Sequence, residues 1–324
     1  MQGRVLVTGA TGFLGKAVLR RLGAAGIGQG RDPARCAAAS GEGFKLVQWA
    51  LPGPPPEDAE LNEVEAVVHC AALSSPFGPA SAFQSTNVLG TKSVLDFARS
   101  RAVKRFVFIS SPSIYFAPRD QLNVPEDMPL PPAFTPYAQS KSAAEELVRM
   151  ARDLGPIILR PRGIYGPGDT TLLPRLLNAA RARPLPRFRK GRAQIDLTYI
   201  DDVVNAVQRA LTAGPEMHGQ AFNISGGQVL PISHIVEQTC EKAGIVPKWR
   251  NMPFRPALAV ARAAETIALM RRDPREPVAT RYGLGLFAFE QSLDISRAKA
   301  ALGWRPEVHF QDGLAHVFDT GEVR

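Results

Sequence analysis

Short apolar runs and helical patterns alternate along the first half of the chain. The strand candidates are runs of β-branched and other apolar residues, found at the start of 4–26 and at 44–49, 65–70, 105–110 and 156–161. The clearest helical patterns between them are 80–101 and 137–154. Strands that alternate with helices indicate a parallel sheet with helices on both faces. The predicted fold class is therefore α/β, with a doubly wound parallel sheet.

The pattern loosens after residue 162, where loop-like stretches separate shorter helices. We therefore predict two domains, a sheet domain at 1–162 to which 196–213 returns, and a smaller substrate-binding cap formed mainly by 163–324. Such a cap is expected over the carboxyl ends of the strands, where ligands bind in sheets of this kind. The apolar segment 257–270 is interrupted by Arg262 and Glu265 and is too short to span a bilayer, so it predicts an amphipathic helix.

The first apolar run leads into a glycine-rich turn, in which Gly9, Gly12 and Gly15 are spaced three apart. A strand, a tight turn and a helix N-terminus in this order form a binding site for the pyrophosphate of a dinucleotide. The alternative is a turn with a structural role alone. At the tip of the second strand the chain has Arg31 followed by Asp32. An arginine there suits the 2′-phosphate of NADP and an acid the ribose hydroxyls of NAD, so we favour NADP and keep NAD as the alternative.

Tyr137 and Lys141 lie four residues apart at the start of a predicted helix, so their side chains share one face. A phenol is a weak acid with a reference pKa of about 10, and a nearby ammonium favours the phenolate. The pair is therefore a candidate proton donor and acceptor. Ser111 follows an apolar strand at the same edge of the sheet and is a candidate to hold a substrate oxygen. The plainer interpretation is a surface pair, with serines that only satisfy backbone groups.

Composition narrows the class of protein. Of the 324 residues 45% are hydrophobic and 21% charged, which is typical of a globular protein with a sizeable core. The three cysteines show neither a disulfide framework nor metal-ligand spacing, and residues 1–8 lack the features of a signal peptide. We therefore expect a cytoplasmic protein without a bound metal.

The formal net charge is +9, and basic residues concentrate at 175–192. No zinc module, basic zipper or aromatic RNA-binding signature accompanies them, so nucleic acid is not an expected partner. A solvated basic face is the first interpretation. The alternative is that this group, or Arg162, holds a carboxylate or phosphate of a small-molecule substrate.

Taken together, the motifs resemble those of the extended short-chain dehydrogenases/reductases. The resemblance rests on VTGATGFLG (7–15), VVHCAAL (67–73), 87–111, YAQSK (137–141) and LRPRGIYGPGD (159–169), and it covers nearly the whole chain in the family's order. It implies a Rossmann-type sheet and an NAD(P)-dependent enzyme. It also implies a homodimer formed through the helices at 88–101 and 138–152.

The resemblance implies a role for each site residue. Tyr137 is expected to be the general acid/base, Lys141 to lower its pKa and hold the nicotinamide ribose, and Ser111 to bind the substrate oxygen. Further cofactor contacts are expected from residues around the turn, at the strand ends and at the centre of the site: Gly9, Thr11, Gly12, Phe13, Leu14, Gly15, Arg31, Ala71, Ala72, Leu73, Asn87, Pro161 and Ile164. One departure is Ala50, which replaces an acidic residue that contacts adenine in the family.

Two motifs of nucleotide-sugar enzymes are absent from this chain, and other motifs resemble a different branch of the family; together they indicate the substrate class. Relatives acting on nucleotide-sugars carry an arginine where this chain has Ile195, and the Thr-Asp-Glu of the dehydratases is replaced by SSPS. The combination of 110–116, 129–141 and 159–177 looks more like the 3β-hydroxysteroid dehydrogenase branch. We therefore expect interconversion of a secondary alcohol and a ketone on a hydrophobic 3-hydroxy/3-keto or steroid-like substrate. The alternatives are a nucleotide-sugar epimerase or dehydratase with tightly bound NAD, and a dinucleotide-sensing binding protein.

Overall fold

The computed structural model describes residues 3–271 and 275–319. Within these ranges the strands are, in chain order, β1 (Arg4–Thr8), β2 (Gly26–Gly30), β3 (Leu46–Gln48), β4 (Val64–His69), β5 (Arg105–Ile109), β6 (Gln121–Val124), β7 (Pro156–Pro161), β8 (Ile164–Tyr165), β9 (Leu185–Arg187), β10 (Gln194–Asp196), β11 (Thr198–Tyr199), β12 (Ala221–Ile224), β13 (Val229–Pro231), β14 (Trp249–Asn251) and β15 (Gln291–Leu293).

The helices lie between and after these strands. They are α1 (Phe13–Leu22), α2 (Pro33–Gly41), α3 (Ala80–Phe83), α4 (Gly90–Ser100), α5 (Pro136–Met150), α6 (Leu172–Ala182), α7 (Ile200–Thr212), α8 (Ile232–Lys242), α9 (Phe254–Met270), α10 (Arg281–Ala288), α11 (Ser296–Ala301) and α12 (Phe310–Asp319). A π-helical segment, Gln84–Leu89, joins α3 to α4 without a break in helical backbone.

Seven strands form the main sheet in the order β12-β7-β5-β4-β1-β2-β3, and every neighbouring pair is parallel. The predicted α/β, doubly wound Rossmann-type fold is therefore confirmed. The strand order reverses between β1 and β4, and in open parallel sheets ligands bind in the crevice outside the carboxyl ends of the strands at this point. The glycine-rich turn after β1 and the chain after β4 both leave the sheet there.

Successive residues of the central strands enter different cores. In β5, Phe106 and Phe108 belong to the core that includes Val94 of α4 and Val148 of α5. Val107 and Ile109 belong to the core on the opposite face, which α1 and α7 cover. This alternation explains why the central strands read as continuous apolar runs, since both faces of a parallel sheet are covered.

The later part of the chain, together with β6, forms three smaller sheets, ordered β13-β10-β15-β6, β11-β8 and β14-β9. A separate apolar cluster there includes Phe188 after β9, Ala261 of α9 and Leu284 of α10. The sequence did not predict β12. This strand comes after β11 and α7 in the chain and pairs with β7 at the edge of the main sheet. The predicted domain boundary at residue 162 stays a prediction. No helix in the described ranges is both long and apolar enough to cross a membrane.

Candidate active site

The turn after β1 brings the backbone close to the end of β4. Gly9 has a φ of +66°, and a Cβ at that position would lie 2.8 Å from the Cα of Ala71. A Cβ on Gly15 would lie 2.3 Å from the carbonyl oxygen of Gly9, so α1 can pack against the turn only with glycine there. The Gly9 N–H donates to Oε1 of the buried Gln29 at 2.9 Å, and this hydrogen bond holds the turn against β2.

The N-terminus of α1 is available to an anion. Its N-cap residue is Gly12, no side chain caps the helix, and its first turn, which includes Phe13 and Leu14, contains no acidic residue. The first N–H groups of a helix need partners and carry partial positive charge. A pyrophosphate fits this position, with Thr11 and Gly12 forming the end of the turn. The turn and helix thus fit a dinucleotide cofactor on their own geometry.

At the tip of β2, the side chains of Arg31 and Asp32 have different surroundings. The Asp32 carboxylate is the N-cap of α2 and accepts from the N–H groups of Ala34 at 2.9 Å and Arg35 at 3.2 Å. The Arg31 side chain is exposed beside it. The Arg35 guanidinium donates to the Thr11 carbonyl oxygen at 3.1 Å, so a second basic group lies against the glycine-rich turn.

The floor of the crevice is held by Asn87, which lies in the π-helical segment. Its Oδ1 accepts from the Leu73 N–H at 2.7 Å, and its Nδ2 donates to Oγ of Ser140 at 2.8 Å. Ser140 in turn donates to the Tyr137 carbonyl oxygen at 2.8 Å. Asn87 therefore ties the segment Ala71–Leu73 after β4 to the first turn of α5. Short π-helical segments such as Gln84–Leu89 are frequent at functional sites.

His69, at the end of β4, is buried between two hydroxyls. Its Nδ1 lies 2.6 Å from Oγ1 of Thr8 and its Nε2 lies 3.0 Å from Oγ1 of Thr91. Burial, with a smaller contribution from the Lys141 charge, lowers the pKa of His69 to about 3. The imidazole is therefore neutral at physiological pH, and its contacts give it a structural role in joining β1, β4 and α4.

The side chains of Tyr137 and Ser111 interact in this structure. Thr135 caps α5 by accepting from the Ala138 N–H at 3.1 Å, which starts the helix at Pro136 and places Tyr137 in its first turn. Burial raises the pKa of the Tyr137 phenol, and hydrogen bonding with Ser111 and Ser74 opposes the rise. The phenol is therefore protonated at neutral pH. Ser74 was not among the predicted site residues, although it directly follows the motif VVHCAAL (67–73).

Lys141 lies one turn further along α5 and is almost fully buried. Its Nζ donates to the carbonyl oxygen of Ile109 at 2.7 Å and lies 4.1 Å from the centre of the Phe108 ring. Burial lowers the pKa of Lys141 to about 8, against smaller opposing contributions from Glu145 and Cys70. In this structure the ammonium is therefore held by the end of β5, and the shift in the Tyr137 pKa comes from burial and the two serines.

A buried ionic network supports α5 from beneath. Arg160 of β7 pairs with the Glu145 carboxylate and donates to the Tyr115 hydroxyl, and it donates to the Glu126 carbonyl oxygen at 3.0 Å. Ser110, next to Ser111, donates to Glu145 at 2.7 Å. Removing one partner of such a pair leaves an uncompensated buried charge. The network thus fixes the end of β5 relative to the helix that carries Tyr137 and Lys141.

A cluster of aromatic side chains joins the segment before α5 to α10. Phe116 packs edge to face against Phe134 at 4.8 Å and against Tyr282 of α10 at 5.1 Å between ring centres. Burial raises the pKa of Tyr282, and smaller contributions come from the Arg162 charge, which lowers it, and from Tyr137, which raises it. Phe83 lies 6.2 Å from Tyr137 on the α3 side. No sequence motif marks Tyr282, which lies 145 positions after Tyr137.

The Arg162 side chain, a candidate from the sequence for binding a substrate anion, is paired with other side chains of the protein. Its Nε lies 3.0 Å from Oδ1 of the buried Asp196, and its Nη1 donates to Gln291 at 3.0 Å. Pro161 ends β7 beside it, and Ile164 lies in the short strand β8. Part of the basic group at 175–192 is paired as well, with Arg175 on Glu276 at 2.7 Å and Arg189 on Asp120.

Comparison with known proteins places this site in a family. A sequence model described as the NAD dependent epimerase/dehydratase family matches residues 5–225. The chain belongs to this family. It is 30% identical to the 2-alkyl-3-oxoalkanoate reductase of Stenotrophomonas maltophilia, over 97% of this chain and 98% of that protein. It is 31% identical to the 3beta-hydroxysteroid-dehydrogenase/decarboxylase isoform 1 of Arabidopsis thaliana, over 79% of this chain and 62% of that protein.

Solved structures agree on the fold. The UDP-glucuronic acid 4-epimerase of Bacillus cereus, solved in complex with NAD, superimposes with a TM-score of 0.74 at 22% identity and covers 98% of this chain and 97% of its own. The resemblance to the extended short-chain dehydrogenases/reductases is thereby confirmed, and the protein is an NAD(P)-dependent enzyme of that family. In the described ranges, no group of three or more His, Cys, Asp or Glu side chains could hold a metal ion.

Proposed function

We propose that the protein is an NADP-dependent reductase that interconverts a hydrophobic ketone, of the 3-oxo or steroid-like type, and its secondary alcohol. The observation that carries this proposal is the hydroxyl cluster of Tyr137, Ser111 and Ser74 beside an aromatic wall. The bound nicotinamide would supply or accept the hydride. Tyr137, Ser111 and Lys141 are the proposed catalytic residues.

Each proposed catalytic side chain has a distinct task. A substrate oxygen resting at the hydroxyl cluster accepts hydrogen bonds from Ser111 and Tyr137, and the protonated phenol donates its proton to that oxygen as the alcohol forms. Lys141 lies below Tyr137 with its charge at the end of β5, where it stabilises the phenolate that the reaction leaves behind. The Asn87 contacts keep Ala71 to Leu73 and Tyr137 at a fixed separation.

The wall of the site supports an apolar substrate. Phe116, Phe134 and Tyr282 form a cluster of packed aromatic rings. The two arginines beside it are both paired with carboxylates, Arg162 with Asp196 and Arg281, which lies over the Phe134 ring, with Glu265. Such pockets recognise apolar groups and use a few polar contacts for orientation. Two relatives, named for reductase activity on 2-alkyl-3-oxoalkanoates and dehydrogenase activity on 3β-hydroxysteroids, point to the same substrate type.

The proposed preference for NADP rests on the tip of β2. The Asp32 carboxylate is already used as a helix cap by Ala34 and Arg35, whereas Arg31 is exposed and Arg35 lies against the turn. The charges available to an adenosine 2′-substituent are therefore positive, which suits a phosphate.

Replacing Arg31 with alanine is expected to raise the KM for NADPH about tenfold, because one charge-assisted hydrogen bond to the 2′-phosphate is lost. The KM for NADH should not change, since that cofactor has no 2′-phosphate. Arg20→Ala, which removes an exposed arginine from the far end of α1, is the control and should leave both values unchanged. An equal rise of KM for the two cofactors would contradict the assignment.

The function itself is tested by identifying any nucleotide released on denaturing the purified protein, followed by titration with NADPH and NADH. An exchangeable site that prefers NADPH, with turnover on a panel of 2-alkyl-3-oxo acids and 3-oxosteroids, is the expected result. Stoichiometric, tightly held NAD together with turnover of a UDP-sugar would replace the proposal with an epimerase.

Two further predictions remain proposals. We propose a homodimer through α4 and α5, where the side chains of Leu89 and Met150 are 46% and 63% exposed near the helix ends. We also propose a cytoplasmic location, supported by free thiols at Cys36, Cys70 and Cys240.

A further inference from the structure

Helix α9 is apolar on the side that faces away from the protein. Only Ala261 and Glu265 of its seventeen residues are buried. Outward-facing side chains include Val260, Ile267 and Met270, which are 70%, 48% and 79% exposed. With Pro256 and Ala263 they recur at spacings of four and three residues, so they form one continuous stripe along the helix. We call these five residues the α9 stripe.

Arginines border the α9 stripe on both sides. Arg255 and Arg262 are exposed along one edge, and Arg271 is exposed at the C-terminal end on the other. The single acidic residue of the helix, Glu265, points inward and receives a hydrogen bond from the Arg281 side chain at 2.7 Å. The exposed face of α9 therefore combines apolar and positively charged side chains without a carboxylate.

This combination distinguishes among possible occupants. A second copy of the chain related by two-fold symmetry would bring the same face against itself and place arginines near arginines. An anionic lipid surface takes the apolar stripe into its acyl boundary and the arginines into its headgroups. The formal net charge of +9 acts in the same direction.

We propose that α9 docks the protein on an anionic lipid surface, lying in the plane of the interface rather than crossing it. The buried side of α9 packs on α10 through Ala261, in one cluster with Leu284 and Ala288, and Glu265 bonds Arg281. Since α10 also carries Tyr282, the docked face is one helix away from the aromatic wall of the active site. An apolar substrate dissolved in lipid would thus meet the protein on the side of its cap.

The test is sedimentation of the 324-residue chain with phosphatidylcholine vesicles, prepared with and without phosphatidylglycerol, at low and high sodium chloride. We expect binding to the vesicles that contain phosphatidylglycerol, weakening at high salt because the headgroup attraction is screened. The triple variant Val260→Gln, Ile267→Gln, Met270→Gln should bind at least about tenfold more weakly to these vesicles. Arg255→Gln with Arg262→Gln should lose about tenfold as well, and only on the anionic vesicles.

A matched control replaces three exposed apolar residues outside α9, with Leu122→Gln, Val229→Gln and Val246→Gln, and it should bind like the unchanged protein. Circular dichroism and thermal unfolding check that all variants fold. Equal loss of binding in the control, or no binding of the unchanged protein to either vesicle, would overturn the proposal. So would a fall in oligomer mass by light scattering in the α9 triple variant, which would assign the stripe to a second copy. Vesicle binding needs no substrate, so its outcome is independent of the proposed reductase activity.

Discussion

Tyr137→Phe is expected to lower kcat for ketone reduction by about a hundredfold to ten-thousandfold, because the proton donor to the substrate oxygen is lost. The substitution removes a hydroxyl that is hydrogen-bonded with Ser111 and Ser74 and keeps the ring that lies 6.2 Å from Phe83. The fold and the affinity for NADPH should therefore be retained. Steady-state kinetics, with NADPH binding followed by fluorescence, measure the two effects separately.

The matched control is Tyr282→Phe, which removes the second phenol of the site. Its ring contact with Phe116 is preserved, and its hydroxyl takes no part in the proposed proton transfer. We expect kcat within about threefold of the unchanged protein, since the substitution keeps the packing of the ring. Full turnover by Tyr137→Phe, or an equal loss in both variants, would refute the assignment of Tyr137 as the general acid.

The central strands were predictable because burial on both faces leaves a mark in the sequence. The predicted run at 156–161 coincides with β7, and those at 65–70 and 105–110 differ from β4 and β5 by one residue at their ends. The sequence pattern does not indicate β12, because its four residues include the buried Asn223. The partners of Asn223 are far away in the chain, at Val124 in β6 and at Glu126 just after it. A polar residue satisfied only by tertiary contacts breaks the apolar pattern on which strand prediction depends.

The second strand illustrates a different limit. Its glycines are poor strand formers, yet a Cβ on Gly28 would lie 2.8 Å from Cβ of Ala10 and 2.9 Å from Leu19. The strand is glycine-rich because the turn and α1 pack directly on it, which is a property of the assembled fold.

The candidate site also has features that local sequence predicts and features that depend on the tertiary structure. The glycine-rich turn and the Tyr137–Lys141 spacing are local, so the sequence carries them directly. Tyr282 and Ser74 reach Tyr137 from separate elements, and the partner of Arg162 lies 34 positions away at Asp196. The sequence shows Arg162 as a charge but cannot show that the charge is already neutralised. Contacts of this kind depend on the topology that brings β7, β10 and α10 together.

Lys141→Met is expected to lower activity and raise stability at the same time. Burial lowers the pKa of Lys141 to about 8 in the folded protein, below the ordinary value of 10.5. The folded state therefore binds this proton less tightly than the unfolded state, and burying the charge costs free energy below about pH 8. Methionine has a similar length and keeps contact with Phe108, so the variant should be more stable at pH 7, by about 1–3 kcal/mol.

The pH dependence gives the sharper test of this prediction. As pH rises from about 8 toward 10.5, the folded protein releases the Lys141 proton first, and the cost of burying the charge disappears. The stability advantage of Lys141→Met should therefore shrink over that range, as measured by urea unfolding of the cofactor-free protein at pH 7 and pH 10. Lys104→Met, at an exposed position before β5, is the control and should show no such change.

Activity should move in the opposite direction. Without the ammonium at the end of β5, the phenolate of Tyr137 loses the positive charge that lies one turn further along α5, and kcat should fall about a hundredfold or more. A variant that is less stable than the unchanged protein at pH 7 would mean that the Ile109 and Phe108 contacts outweigh the cost of burial. A more stable, fully active variant would remove Lys141 from the proposed catalytic residues. The expected combination, more stable and less active, would show that the protein retains a buried charge for its chemistry at a cost to its fold.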